Sequence, residues 1–220
     1  MEQGPELLSC LRMQHGMTAQ LCSLEVCHFI VSNRMAVERQ TQAEAEVGSC
    51  KTQQGLMDRI QGLLGLFDRV CLILEKKPTR SGDTLRPFKR SQYPDSMMSA
   101  LIQAGVRLLF SSGPRETATL LAELARMEHR KGRAITVPTE VRGHQQLALN
   151  FYLSLPCVSY ITALNMCHGF QSTAHLISSS IESLMDKACV SHSRAKEIFC
   201  VLRTICNTNM LPNSARKLGQ

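Results

Sequence analysis

Cys27-His28-Phe29-Ile30-Val31-Ser32-Asn33-Arg34-Met35-Ala36-Val37-Glu38-Arg39-Gln40 is the stretch on which the architecture turns. Cys27 to Val31 and Met35 to Val37 are short, apolar and β-rich. Ser32-Asn33-Arg34 between them predicts a tight hairpin. Further along, Leu56, Met57, Ile60, Leu63, Leu64 and Phe67 recur at helical spacing from Gln54, with one buried face. Val70 to Leu74 then reads as a buried strand, residues 96–104 as a helix, and Val106 to Phe110 as another buried strand. The next helix has the clearest signals. Ser112 can cap it, Pro114 suits its first turn, and Glu116 complements its dipole. Leu120, Leu121, Leu124 and Met127 form its expected buried stripe, and Arg126, Arg130 and Lys131 enrich its C-terminal end in cations. Strands alternating with helices predict an α/β domain over residues 1–140. Its sheet should be mostly parallel, with helices on both faces.

A boundary falls near Pro138 to Gly143, and residues 144–220 read as a small all-α domain. The pattern predicts helices over Gln145 to Leu155, Tyr160 to His168, Ser172 to Ser178, Ile181 to Lys187 and Ser193 to Ile205. In the last of these, Ile198, Phe199, Val201, Leu202 and Ile205 form an apolar set suited to the domain core and a partner's matching surface. Ile198, Phe199, Leu202 and Ile205 are the candidate dimer interface.

Apolar residues make up 44% of the 220, enough for a real core, so disorder throughout is not expected. No apolar run approaches the length that spans a bilayer. The net charge of +7 favours polyanionic partners, nucleic acid first and anionic membrane second, and of these nucleic acid is expected and a membrane is not. Much of that charge lies between Glu75 and Tyr93, where Lys76, Lys77, Arg80, Arg86, Lys89 and Arg90 face only Glu75 and Asp83. Pro78, Gly82 and Pro87 prevent regular structure there. The stretch reads either as a solvated loop or as an arm that contacts phosphates, with Phe88 and Tyr93 available to stack on bases. Ten cysteines without a Cys-x-x-Cys pair point to structural thiols. Neither Cys22, Cys27 and His28 nor Cys167 and His168 has a second half at zinc-finger spacing.

The run Val37-Glu38-Arg39-Gln40 resembles the Val-Glu-Arg-Lys signature of the XPF family of structure-specific DNA nucleases. Metal-assisted phosphodiester cleavage needs converging carboxylates and a group such as lysine to stabilise charge. The family signature supplies a metal-binding glutamate and a catalytic lysine. Here Gln40 replaces the lysine, and His28 replaces the aspartate expected ten residues before Glu38. By the same resemblance Glu44 and Glu75 match further family acids. Glu38, Glu44 and Glu75 therefore remain, with His28, Arg39 and Gln40 completing the remnant. Glu38 and Glu75 sharing a divalent cation, with His28 as third ligand, is one reading. A Glu38–Arg39 ion pair is the other, and the favoured one. No catalysis, metal or organic cofactor is expected. The resemblance implies a restriction-nuclease-like sheet with flanking helices, followed by a tandem helix-hairpin-helix domain. Cys157 and Ser159 hold the first hairpin's glycine positions, and Ser191 and His192 the second's. Lys187, Arg194 and Lys196 remain able to meet phosphates, beside Lys76, Lys77, Arg86, Lys89 and Arg90.

Within that family, Phe29 to Arg39, Leu109-Phe110-Ser111-Ser112, Phe151-Tyr152-Leu153-Ser154, Ser159 to His168 and Met210-Leu211-Pro212-Asn213 resemble the C-terminal region of the Fanconi anaemia group M branch. That branch implies a non-catalytic module of a DNA-repair translocase in the nucleus, on chromatin, acting in interstrand-crosslink repair. It implies a heterodimer with a small XPF-like Fanconi-associated protein. It also implies contact with the Fanconi core complex and with branched or single-strand-containing DNA. A residual metal-dependent endonuclease and a pure protein-interaction module are the alternatives. Relatives carry a further strand before the helix near Glu6, so the chain reads as a fragment, a short isoform or an incomplete gene model.

Overall fold

Alternation along two strands sets the layers of the first unit. The computed structural model describes residues 4–22, 24, 27–41, 44, 50–76 and 95–205. The chain divides into two compact units, Met1–Thr136 and Val137–Gln220. In the first, β1 (Phe29–Ser32) and β2 (Met35–Thr41) form an antiparallel hairpin with Phe29 opposite Val37. Strands β3 (Arg69–Glu75) and β4 (Arg107–Ser111) continue the sheet parallel to β2, in the order β1-β2-β3-β4. The helices are α1 (Gly4–Met13), α2 (Cys50–Leu66), α3 (Asp95–Gln103) and α4 (Pro114–Arg130).

Successive strand residues point to opposite faces. Met35 and Val37 of β2, with Cys71 and Ile73 of β3, meet Leu7, Cys10 and Leu11 of α1 and Ala118, Leu121, Ala122 and Leu124 of α4. The intervening Ala36, Val70, Leu72 and Leu74 are equally buried on the other face, where α2 lies. Cys71 is thus a small core hydrophobe, as its apolar run predicts. Helix α2 starts at Cys50 rather than near Gln54, because Lys51-Thr52-Gln53 add no apolar residue to the periodic pattern. Its inward residues are Leu56, Ile60 and Leu63, followed by Phe67.

Helix α4 departs from expectation at both ends. Gly113, not Ser112, occupies the N-cap. Ser112 instead donates its N–H and hydroxyl to Glu116, at 2.7 and 2.6 Å. These bonds, the hydroxyl's first, hold the Glu116 carboxyl below its usual range. Met127 is exposed rather than buried, and the inward position near the C-terminus belongs to Glu128.

The second unit comprises α5 (Gly143–Leu153), α6 (Tyr160–Gly169), α7 (Thr173–Ile177), α8 (Ile181–Lys187) and α9 (His192–Ile205). Three short helices in succession are each started by a serine side chain. Ser159, Ser172 and Ser180 accept from the backbone N–H of Thr162, His175 and Ser183. Such caps are worth about 1 kcal/mol each, which matters most in helices of one or two turns. Gly169 lets α6 end against α8, since a Cβ there would lie 2.9 Å from the Cβ of Lys187.

Among the described residues, Cys189 alone of the non-glycine residues has a positive φ, of 54°. A side chain in this left-handed region costs about 1–2 kcal/mol. Cys189→Gly is therefore expected to stabilise the second unit by about 1 kcal/mol. Chemical denaturation checks this, and a lowered midpoint would refute it. Among the described residues, no helix is long and apolar enough to cross a membrane.

Candidate functional site

Strand β2 presents its charged residues to two different environments. Val37 and Arg39 share the α1/α4 face, and Glu38 and Gln40 share the α2 face. Glu38 is only 1% exposed, and Gln40 is buried beside it. Arg59 of α2 donates its Nε to Glu38 Oε1 at 3.0 Å. The backbone N–H of His28 reaches Glu38 Oε2 at 3.3 Å, and its Nδ1 stands 3.1 Å from the same oxygen. That nitrogen also lies 3.3 Å from the Arg39 N–H. One imidazole nitrogen cannot donate to Glu38 and accept from Arg39 together, so the tautomer selects between these contacts. Arg59 was not singled out from the sequence. A signal was present, because Arg59 follows Leu56 by three residues and precedes Leu63 by four, which places it on the helix's apolar face.

Glu38 also acts on its neighbour Cys27. Burial, followed by the charge of Glu38, pushes the Cys27 thiol up to about 12. Only the thiolate is a good metal ligand, so Cys27 is poorly suited to that role.

On the other face, Arg39 grips Glu75 of β3, with Nε to Oε2 at 2.8 Å and Nη2 on Oε1. Thr117 of α4 donates its hydroxyl to the same carboxylate. Both ionic readings of the sequence are thereby corrected. Arg39 pairs with Glu75, not Glu38, because adjacent residues of a strand point apart. For the same reason Glu38 and Glu75 cannot share a cation with His28: the parallel register sets Glu38 beside Leu72 and Glu75 beside Thr41. The third remnant acid, Glu44, turns back on Thr41, whose N–H and hydroxyl donate to it at 2.7 and 2.8 Å. Among the described residues, no three His, Cys, Asp or Glu side chains are grouped so as to hold a metal ion.

A third ionic centre escaped the sequence reading. Glu128, 1% exposed at the end of α4, receives Arg34 on both oxygens at 2.7 and 3.2 Å and the Ser32 hydroxyl at 3.2 Å. Arg69 and Lys131 approach it at 3.6 and 4.0 Å. Burial pushes the Glu128 carboxyl up. The hydrogen bond and charge of Arg34, with Ser32 and Arg69, outweigh burial and leave it below its ordinary value.

The candidate phosphate contacts divide three ways. Lys76 follows β3, where its N–H donates to Ser111 O at 2.8 Å. Lys77, Arg86, Lys89 and Arg90, with Phe88 and Tyr93, lie outside the described residues, as does Met210 to Asn213. In the second unit Lys187 stands over the Phe170 ring at 5.0 Å, and Arg194 pairs with Glu197 at 3.1 Å, its side chain only 14% exposed. Lys196 is exposed.

The candidate dimer residues also divide. Ile198 and Leu202 are 0% and 2% exposed within the second unit itself. They continue a stripe from the buried Ala195 at i, i+3 and i+7, so they line this unit's own core rather than a free surface. Phe199 is half-buried with Arg203 over its ring at 4.8 Å. The side chain of Ile205 is outside the described set. The left-handed backbone position of the second turn, which favours glycine, is at Cys189 rather than at Ser191 or His192. In the first turn Ser159 is the cap of α6 and Cys157 is half-buried.

The ERCC4 domain model matches residues 3–124, which span the whole sheet, helices α1 to α3 and the first part of α4. The chain is 49% identical over 219 residues to the Fanconi anemia group M protein of Gallus gallus, covering 99% of this chain and 10% of the relative. It is 43% identical over 217 residues to the Fanconi anemia group M protein homolog of Mus musculus, covering 99% and 11%. The chain thus spans about a tenth of the length of these two relatives. The 3'-flap repair endonuclease Xpf of Saccharolobus solfataricus is 24% identical over 218 residues, covering 97% of this chain and 90% of that protein.

Proposed function

The chain belongs to the ERCC4-domain family, and from that premise we propose that it is a non-catalytic DNA-binding and heterodimerisation module of a group M-type repair translocase. Its first unit keeps the nuclease-like sheet and its second unit is a tandem helix-hairpin-helix domain. Its partner is a small XPF-like Fanconi-associated protein, and together they help recruit the Fanconi core complex to branched or stalled-fork DNA in nuclear chromatin.

The observation that carries the non-catalytic reading is the state of Glu38. Where the family resemblance calls for a carboxylate open to metal, this one is buried and bonded to the Arg59 guanidinium. The guanidinium supplies the positive charge a metal would otherwise bring. Among the described residues no three His, Cys, Asp or Glu side chains gather around Glu38 to hold a metal ion, and Gln40 cannot supply the charge of a lysine. The internal engagement of Lys187 and Arg194 favours a second reading, in which this chain contributes protein contacts and its partner supplies most of the DNA contacts.

One titration separates the readings. Labelled forked DNA is titrated with the purified chain, with and without the small XPF-like partner, in magnesium or manganese, and each sample is read for binding and strand cleavage. Intact DNA, with binding that strengthens when partner is added, is the expected result. Cleavage abolished by Glu38→Ala would overturn the proposal. Absence of binding by the chain alone, with binding by the pair, would favour the protein-contact reading.

A further inference from the structure

Cations from several elements collect at one edge of the sheet, where the parallel strands begin. Arg34 sits in the β1–β2 turn, Arg69 begins β3, Arg107 begins β4, and Lys131 and Arg133 follow α4. Backbone bonds tie these pieces together. The N–H of Asn33 donates to Arg133 O at 3.1 Å, and that of Arg69 to Arg34 O at 3.0 Å. The Asn33 side chain donates to Ala134 O at 2.9 Å. Arg107 pairs in register with Cys71, two residues along from Arg69, so both lie on the α4 face.

The opposing charge is smaller. Glu128 is buried beneath Arg34, Arg69 and Lys131, and Asp68 also acts on Arg34. The α4 C-terminus adds roughly half a negative charge. Five cations against two carboxylates and this dipole leave a surplus of about two and a half positive charges at the edge. Arg107, Lys131 and Arg133 are exposed. Neighbouring strands lie about 4.8 Å apart, so the row crosses about 10 Å. That is too broad for one phosphate and suits a chain of them, which duplex DNA presents at one per about 3.4 Å of helix axis on each strand.

We propose that this edge is a phosphate-backbone contact for duplex DNA, separate from the basic stretch Lys76 to Arg90. The inference rests on the DNA-binding reading above and assigns it a surface. Lys76 lies at the opposite end of β3, about 20 Å away at the rise of an extended strand. At that separation, the effects of neutralising Lys76 and the edge cations are expected to add.

The test uses the full chain and a labelled duplex, with affinity measured across a range of salt. In the variant Arg107→Gln/Lys131→Gln/Arg133→Gln, the stronger Arg34 and Arg69 contacts to Glu128 remain. Its affinity is expected to fall by about tenfold or more. Its salt slope should fall by about 2 to 3, because each phosphate left without its cation removes roughly 0.9 from the slope. The charge-keeping variant Arg107→Lys/Lys131→Arg/Arg133→Lys should retain the slope, and thermal unfolding should show both variants folded. A parallel variant neutralises Lys76, Lys77, Lys89 and Arg90. If it loses affinity while the edge variant binds like the parent, the edge proposal is overturned and the DNA-binding reading stands. Equal losses in the charge-keeping and neutral variants would also overturn it, by showing that shape rather than charge was removed. If the parent chain shows no salt-dependent DNA binding with or without partner, both readings fall.

Discussion

Glu128→Ala is expected to destabilise the first unit by about 3 kcal/mol at neutral pH, the lower end of the range for breaking a buried ion pair. The substitution leaves Arg34 and Arg69 facing one another with no carboxylate between them, and removes the acceptor of the Ser32 hydroxyl. The lower end applies because both arginines are partly exposed, and water relieves some of the loss. The pH dependence has a definite sign. A carboxyl held below its ordinary value in the folded state stabilises that state above the unfolded value, about 4.3 for glutamate. That contribution is lost as pH falls through the lower folded value. The parent and the variant should therefore differ most near neutrality and converge in acid. Denaturant unfolding over that pH range measures it, and a gap that stays constant into acid would mean that the charge of Glu128 is not what stabilises the fold.

Arg39→Ala is expected to cost about 3–5 kcal/mol, because among the described residues it leaves the buried Glu75 carboxylate with only the Thr117 hydroxyl for side-chain support. Adding Glu75→Gln to Arg39→Ala should recover a substantial part of the loss, since a neutral amide can accept from Thr117 without needing a cation. The cycle is read by urea denaturation of the four proteins. A loss below about 1 kcal/mol for Arg39→Ala would place this pair with exposed salt bridges and argue against its role in joining β2, β3 and α4. The arrangement also gives Arg39 a purpose without cleavage chemistry. It stabilises the sheet from the face opposite Glu38.

The apolar patterns of the chain were legible because they are local. Apart from β4, which begins one residue after Val106, and α2, which begins four residues before Gln54, the hairpin after Cys27, the strand through Val70 and the helix from Pro114 appear where the spacing predicts them. The five helices of the second unit do as well, with Ile181–Lys187 matching end to end. The site was less legible. Glu38 and Gln40 could be picked out by resemblance, but the cation that meets Glu38 could not. Arg59 was hidden inside an apolar stripe, and Glu128 inside another that also holds Leu121 and Leu124. The same blind spot sent Ile198 and Leu202 to a partner's surface, because an apolar stripe does not say which surface will cover it.

The order of strands and helices, and the presence of Gln40 and His28 where the XPF-family resemblance expects lysine and aspartate, were set by the residues in their linear order. Periodicity, turn residues and residue identity are properties of short windows. Which charges meet was settled only by packing. Arg59 reaches Glu38 across 21 residues, Arg39 reaches Glu75 across 36, and Arg34 reaches Glu128 across 94. Those pairings follow from strand register and from the face each helix turns inward. The low solvent access created by packing then makes each buried carboxylate depend on its cation.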